Sequence, residues 1–177
     1  MNIFAVDSSP IVSAQSLVDR HVVKMILETA QLLSTAHRVV DGSETIEKSK
    51  VGRKIKRWKL SDNRETKLYL ATHINHPSSI WCRASNNNYN WLYIHFLELL
   101  REYTYRYNKI HKCSFLVDVL KTPPCNITIG PKTSVTATMP DVYKIRGNSV
   151  ESYRNYYRLG KAHLHKWTNR TPPDWIK

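Results

Sequence analysis

The sequence predicts an all-α protein, a compact single-domain helical bundle over residues 1–177 with a long first helix, a basic linker and an irregular segment before the last helix. Three observations predict it. Two long stretches, one near the start of the chain and one in its middle, repeat their apolar residues at helical spacing. Ser8-Ser9-Pro10 reads as a cap followed by proline at a first helical position. With 177 residues, 41% of them hydrophobic and among them ten tyrosines and five tryptophans, the chain can bury a real core.

The elements follow in order. Asn2 to Val6 form a short extended lead, and the first helix is expected from Pro10 to about Val39, closing near Asp41-Gly42. The basic linker runs from Lys48 to Lys67 and holds Lys48, Lys50, Arg53, Lys54, Lys56, Arg57, Lys59, Arg64 and Lys67 against only Asp62 and Glu65. Trp58 sits in its middle. A second helix begins around Asp62 and is interrupted at Asn75-His76-Pro77, because the residue before a proline is pushed out of the helical region. A third long helix is indicated from about Asn88 to Lys112, where Trp91, Leu92, His95, Phe96, Leu99, Leu100, Tyr103 and Tyr107 recur at helical steps. Cys113 to Tyr143 is irregular, with turn signals at Thr122-Pro123-Pro124 and Gly130-Pro131. A last helix starts near Ser149 and carries Arg154, Arg158 and Lys161 on one face.

Bulk chemistry narrows the function. A formal charge of +13 points to a polyanionic partner, double-stranded DNA first. No window approaches the ~20 apolar residues of a membrane span, and no basic-then-apolar leader opens the chain, so a cytoplasmic monomer is expected. Cys82, Cys113 and Cys125 are odd in number and widely spaced, which suits a reducing compartment without disulfide or zinc. No metal is expected, since His73/His76 and His163/His165 lack a carboxylate or cysteine at a ligand spacing. No cofactor is expected either: phosphate-binding and dinucleotide loops are absent, and so is a GxSxG nucleophile turn.

The strongest local signal is a polar stripe within the first helix. His21, Lys24, Glu28 and Gln31 share one face, bordered by Leu17, Leu27 and Leu32, while Val18, Val22, Met25, Ile26 and Leu33 fill the other side. Charges among leucines are costly to desolvate and should be paired or used. The plainer alternative is a partly exposed Lys24–Glu28 ion pair at i, i+4, worth a few tenths of a kcal/mol. Two other groups suit nucleic acid. Arg53, Lys54, Lys56, Arg57 and Trp58 in the linker, and Arg154, Arg158 and Lys161 on the last helix, offer phosphate contacts, though such runs are commonly solvated faces. In WCRASNNNYNWL, Arg83 and Asn88 crowd a turn between Trp81 and Trp91, as a groove that stacks and hydrogen-bonds bases would; helix capping is the alternative for Ser85 and the asparagines.

Taken together, the glutamate-bearing first helix, the basic linker, the N-H-P turn, the long aromatic helix ending in EYTYRYNKIHK and the C-terminal YYRLGKAHLHKW resemble the small helical pyrimidine-dimer DNA glycosylases of the phage endonuclease V type. The resemblance spans most of the chain except Cys113 to Tyr143. It implies that Glu28 is the catalytic glutamate, with His21 and Lys24 as basic active-site residues. It also implies that a free α-amine at the chain start attacks the deoxyribose C1′, displaces the base as a Schiff base forms, and leads to strand cleavage by β-elimination. Such an amine has a pKa near 8 in general, so a useful fraction is nucleophilic. Asn2 is a poor residue for removal of the initiator methionine, which makes the amine of Met1 the candidate nucleophile. Asp7 is then a residue leading into the helix and Asp19 an exposed acid of the first helix. The expected function is N-glycosylase, with AP-lyase activity depending on that amine. A monofunctional enzyme in which Glu28 activates water, a non-catalytic DNA-binding protein and a phage-type base-modifying enzyme are the alternatives.

Overall fold

The computed structural model describes residues 1–49 and 51–176, so Lys50 of the basic linker lies outside the described residues. Seven α-helices are present among them: α1 (Pro10–Gln15), α2 (Asp19–Asp41), α3 (Arg64–Lys67), α4 (Pro77–Ala84), α5 (Asn86–Tyr107), α6 (Val117–Leu120) and α7 (Ser149–Asn155). Two strands, β1 (Ser43–Lys48) and β2 (Lys54–Lys59), pair antiparallel. Helix accounts for 53% of the chain, so the molecule is mostly helical but not all-α as expected.

The correction falls on the linker. Thr45, Ile46 and Ile55 favour extended backbone, Gly52 supplies φ +80° at the turn, and Ser43↔Lys59 through Lys48↔Lys54 pair in register. Cross-strand ion pairs offset part of the charge: Glu44 holds Lys56 at 2.7 Å, and Glu47 holds Lys59 at 2.8 Å and Arg57 at 3.8 Å. Counting charges alone hides this, because the carboxylates lie before the basic run in sequence and beside it in space.

The long first helix is also broken. Ser9 caps α1, and the chain leaves helical geometry at Ser16–Val18 before α2 begins. The carbonyls that would continue the helix are taken by distant side chains: Arg106 donates to Gln15 O at 2.9 Å and Leu17 O at 2.8 Å, and Trp167 Nε1 donates to Ser16 O at 3.0 Å. Asp19 is buried in that same network, not exposed. The second expected helix shrinks to α3. Pro77 then starts α4 at its first turn, with His76 Nδ1 accepting from Ser78 N at 3.2 Å. Helix α5 begins at Asn86 and stops at Tyr107, since Asn108 adopts the left-handed conformation (φ 52°).

Helix α2, about 34 Å long at 1.5 Å per residue, packs against α4 and α5 around one buried apolar cluster. The N-terminal lead Ile3–Val6 is buried in that cluster. Residues 121–148 are irregular apart from a short 3-10 turn at Asp141–Tyr143, and they are clasped rather than loose. Asp41 accepts from Cys125 N and Asn126 N at 2.9 Å each. Helix α7 continues into a wide turn over Tyr156–Gly160, and the chain end returns to pack on α2 and α5. No helix among the described residues is long and apolar enough to cross a membrane.

Candidate functional site

The N-terminal lead is pinned by Asn2. Its side-chain oxygen accepts from Ile3 N and Tyr153 OH at 2.8 Å each and from Thr138 Oγ1 at 2.9 Å, while its amide donates to Thr138 O at 2.8 Å. This cage leaves the Asn2 backbone N–H free to point at the middle of α2, where it donates to Glu28 Oε2 at 2.8 Å. The other carboxylate oxygen of Glu28 lies 3.3 Å from Lys24 Nζ. The i, i+4 ion pair therefore exists, but it uses only one side of the carboxylate. The Glu28 side chain is 15% exposed and that of Lys24 is 69% exposed, so the pair sits at the edge of solvent.

Phe4 sets the angle of the lead. It adopts φ 55°, a region L residues occupy at a cost, and its ring stacks on His21 with centroids 4.2 Å apart. His21 is itself buried, with Nδ1 at 2.5 Å from Tyr157 OH. Burial first, then the charges of Lys161, Lys24, Arg20 and His163, push its pKa down to about 3. At neutral pH it is an uncharged ring that supports Phe4 from below, which differs from the basic active-site residue the sequence suggested.

His76, which the sequence offered only in a weak metal pair with His73, lies near enough to this carboxylate to be affected by its charge. His76 has its pKa lowered by burial, then by the positive chain terminus and by His73, with Glu28 opposing. The charge at the chain start, Glu28 and His76 thus lie close enough to affect one another. His73 adopts φ 48° and its Nδ1 meets Thr72 Oγ1 at 2.7 Å. Among the described residues no grouping of three metal-ligating side chains occurs.

Glu28 also opens onto a groove of 740 Å³. Along α2 it is lined by Val23, Lys24, Leu27, Glu28 and Gln31, and its far wall is Tyr69, Tyr103, Ile110, His111, Lys112 and Cys113. The stripe read from the sequence therefore splits: His21 turns inward, while Lys24, Glu28 and Gln31 face this groove. Tyr103 packs edge-on against His111 with centroids 5.1 Å apart, and the Tyr69 hydroxyl meets Cys113 Sγ at 3.4 Å. The aromatic wall comes from three separate segments, and no spacing in the sequence brings them together.

Other candidates have different surroundings. Asn88 is fully buried, donating to Trp81 O and Thr133 Oγ1 and accepting from Thr133 N, so its amide is used internally. Together with Ser85 and Asn86, which bond the backbone of residues 128–131, it clasps the irregular segment. Trp81 and Trp91 pack edge-on in the core at 6.0 Å rather than framing a stacking slot. Arg83, half-buried, donates to Ser79 Oγ at 3.0 Å and has no carboxylate partner among the described residues; burial lowers its pKa. Arg154 binds Val6 O, Glu151 and Asp7, and Arg158 binds Trp175 O, which ties the chain end to the N-terminal lead. Lys161 lies 4.9 Å over the Tyr156 ring. Of the linker residues, Lys56 and Arg57 are ion-paired, Trp58 is half-buried with its carbonyl held by Arg38, and Arg53 and Lys54 are exposed.

Compared with known protein families, with characterised proteins and with solved structures, the chain finds no match, so a functional reading rests on this geometry.

Proposed function

We propose that this chain is a DNA base-excision enzyme, an N-glycosylase acting on damaged or modified pyrimidines in duplex DNA. The observation that carries the reading is the placement of Glu28. Its carboxylate is held at 2.8 Å from the residue-2 nitrogen and faces a groove with aromatic and apolar walls large enough for a nucleobase. Bases reach such sites by leaving the stack, and aromatic walls offset the lost stacking.

The chemistry follows from that position. An α-amine at the chain start attacks C1′, the N-glycosidic bond breaks, and its electron pair leaves on the base, which takes up a proton. The nitrogen gives up one proton, O4′ takes one up as the sugar ring opens to a protonated Schiff base, and removal of a proton from C2′ drives the β-elimination that expels the 3′ phosphate. Glu28 accepts and returns protons and stabilises positive charge at the sugar. With Met1 attached, the nitrogen 2.8 Å from Glu28 is an amide, and the reactive amine belongs to Met1, one residue further out. In a chain starting at Asn2 that same nitrogen becomes the amine. A water molecule activated by Glu28 gives base release without strand cleavage.

The test is base release from duplexes carrying a panel of lesions, with Glu28→Gln beside the wild type. Loss of release with DNA affinity kept within a few fold supports the assignment, and full activity in the variant ends it. Borohydride trapping, followed by mass mapping of the adduct, separates the amine route from the water route. The competing reading, a DNA-binding protein without catalysis, draws on the Lys24–Glu28 ion pair and predicts salt-sensitive binding with no product from any duplex.

A further inference from the structure

The β1–β2 hairpin has a shape and a charge distribution that the excision chemistry does not use. Its root is rigid. Arg38, fully buried, donates to Trp58 O at 3.0 Å, and Gly42 lies where a Cβ would meet Arg38 O at 2.5 Å and Lys59 O at 3.0 Å. The chain crosses there with no room for a side chain, so the ribbon leaves the end of α2 at a set angle. From mid-ribbon back to the root, Lys56, Arg57 and Lys59 are occupied, Lys56 by Glu44 and the other two by Glu47, which reaches back from opposite Ile55. Toward the tip, Lys48, Arg53 and Lys54 have no carboxylate partner among the described residues. Two apolar side chains are exposed along the same ribbon, Ile46 in its middle opposite Lys56 at 65% and Val51 beyond the last strand pair at 79%. A stretch of net positive charge with its neutralised part at the root and its free part at the tip is arranged for a polyanion that meets the tip.

We infer that the hairpin is a duplex-binding arm that lies in the major groove of DNA, with Lys48, Arg53 and Lys54 on the phosphates. This inference rests on DNA being the partner but does not require base excision. Dimensions favour the groove. Two strands about 4.8 Å apart with their side chains match a major groove about 12 Å wide, which admits a two-stranded ribbon, better than a minor groove of about 6 Å. The position is set by α2: thirteen residues separate Glu28 from Asp41, about 20 Å along the axis. That distance places the root of the arm, and the tip with its free cations lies one strand length beyond it, so the arm meets DNA away from the nucleotide at Glu28. Ile46 and Val51 are placed to meet thymine methyl groups, which project into that groove.

The experiment compares the wild type with the triple variant Lys48→Gln, Arg53→Gln, Lys54→Gln on one undamaged duplex, one lesion-bearing duplex and one single strand. Two readouts are taken: binding across a salt series, and dimethyl sulfate reactivity of guanine N7, which faces the major groove. The expected result is a salt slope shallower by about 2.7, so that between 50 and 200 mM salt the wild type loses about 40-fold more affinity than the variant. Guanine N7 protection flanking the lesion disappears with it. An unchanged slope overturns the inference. So does an equal loss on single-stranded DNA or an N7 pattern identical in the two proteins, since the groove would then not be involved. A changed slope in a protein that releases no base from any duplex of the lesion panel supports the arm and removes the glycosylase reading.

Discussion

Two charged clusters lie along α2, and their contrast separates architecture from chemistry. At its N-terminal end Asp19, Glu102, Arg106 and Arg170 form a sealed network. Arg106 binds Glu102 at 2.7 Å, Asp19 at 2.9 Å and two backbone carbonyls, Arg170 adds two bonds to Glu102, and Thr168 donates twice to Asp19. Every side chain there is matched, and the network joins α2, α5 and the chain end. Two turns and more along the same helix, Glu28 has an amide on one oxygen and a solvent-facing lysine near the other, with a groove in front of it. A saturated cluster has nothing left with which to bind a ligand. An under-coordinated carboxylate at a groove does.

Removing one member from each cluster breaks the comparison in opposite ways. Arg106→Ala takes the central cation from two buried carboxylates, leaving Glu102 to the partly exposed Arg170 and Asp19 to Thr168, and is expected to cost about 3–5 kcal/mol of stability in a denaturant titration. A loss below about 1 kcal/mol would mean that the network is not the clamp described here. Protonation gives an intermediate effect. His21 is neutral in the folded state because burial holds its pKa at about 3, while the unfolded chain takes up a proton near the ordinary value of 6.5. A lowered histidine pKa contributes stability above the unfolded value and loses it as pH falls toward the folded one. Between pH 7 and 5 this amounts to about 2 kcal/mol, and His21→Gln should flatten the stability curve over that range by a similar amount. His37 and His95, pushed down to about 4 by burial, leave a residual slope of the same sign. Asp19 acts in a separate window. Burial alone would raise its pKa, but Thr168 and Arg106 outweigh it, so its contribution persists above the ordinary carboxylate range and fades only in stronger acid. The smallest effect belongs to Lys24→Ala, which removes an exposed i, i+4 pair and should cost about 0.3 kcal/mol. A cost several times larger would make the Lys24–Glu28 pair a structural element and weaken the case for Glu28 as a working carboxylate.

Much of the helical frame was legible because local rules operate there. Ser9-Pro10 starts a helix, Ser85 caps α5, and the 3.6-residue apolar recurrence identifies α5 and most of α2. The errors share a cause. The break at Ser16–Val18 comes from Arg106 and Trp167, which lie about ninety and one hundred and fifty residues away in sequence. The hairpin is hidden in the sequence because its carboxylates, Glu44 and Glu47, precede the basic run that they pair with in space. The asparagine-rich turn gives no local sign of its clasping role because its partners, Thr128 to Thr133, sit in the segment that carries no periodic signal. Asn2 drew attention only as the neighbour of Met1. Its cage of Thr138 and Tyr153 is assembled from opposite ends of the chain.

The sequence by itself determined α5 and most of α2, that the chain carries a large positive charge, and that a lysine and a glutamate share one face of α2. Those properties depend on composition and on spacing within a few residues. Only the tertiary structure decided that His21 turns inward and neutral, that Glu28 meets the chain start at the edge of an aromatic groove, and that the basic run folds into a ribbon with its free cations at the tip. Each of these depends on burial and on partners brought in by packing, and neither quantity is a function of local sequence.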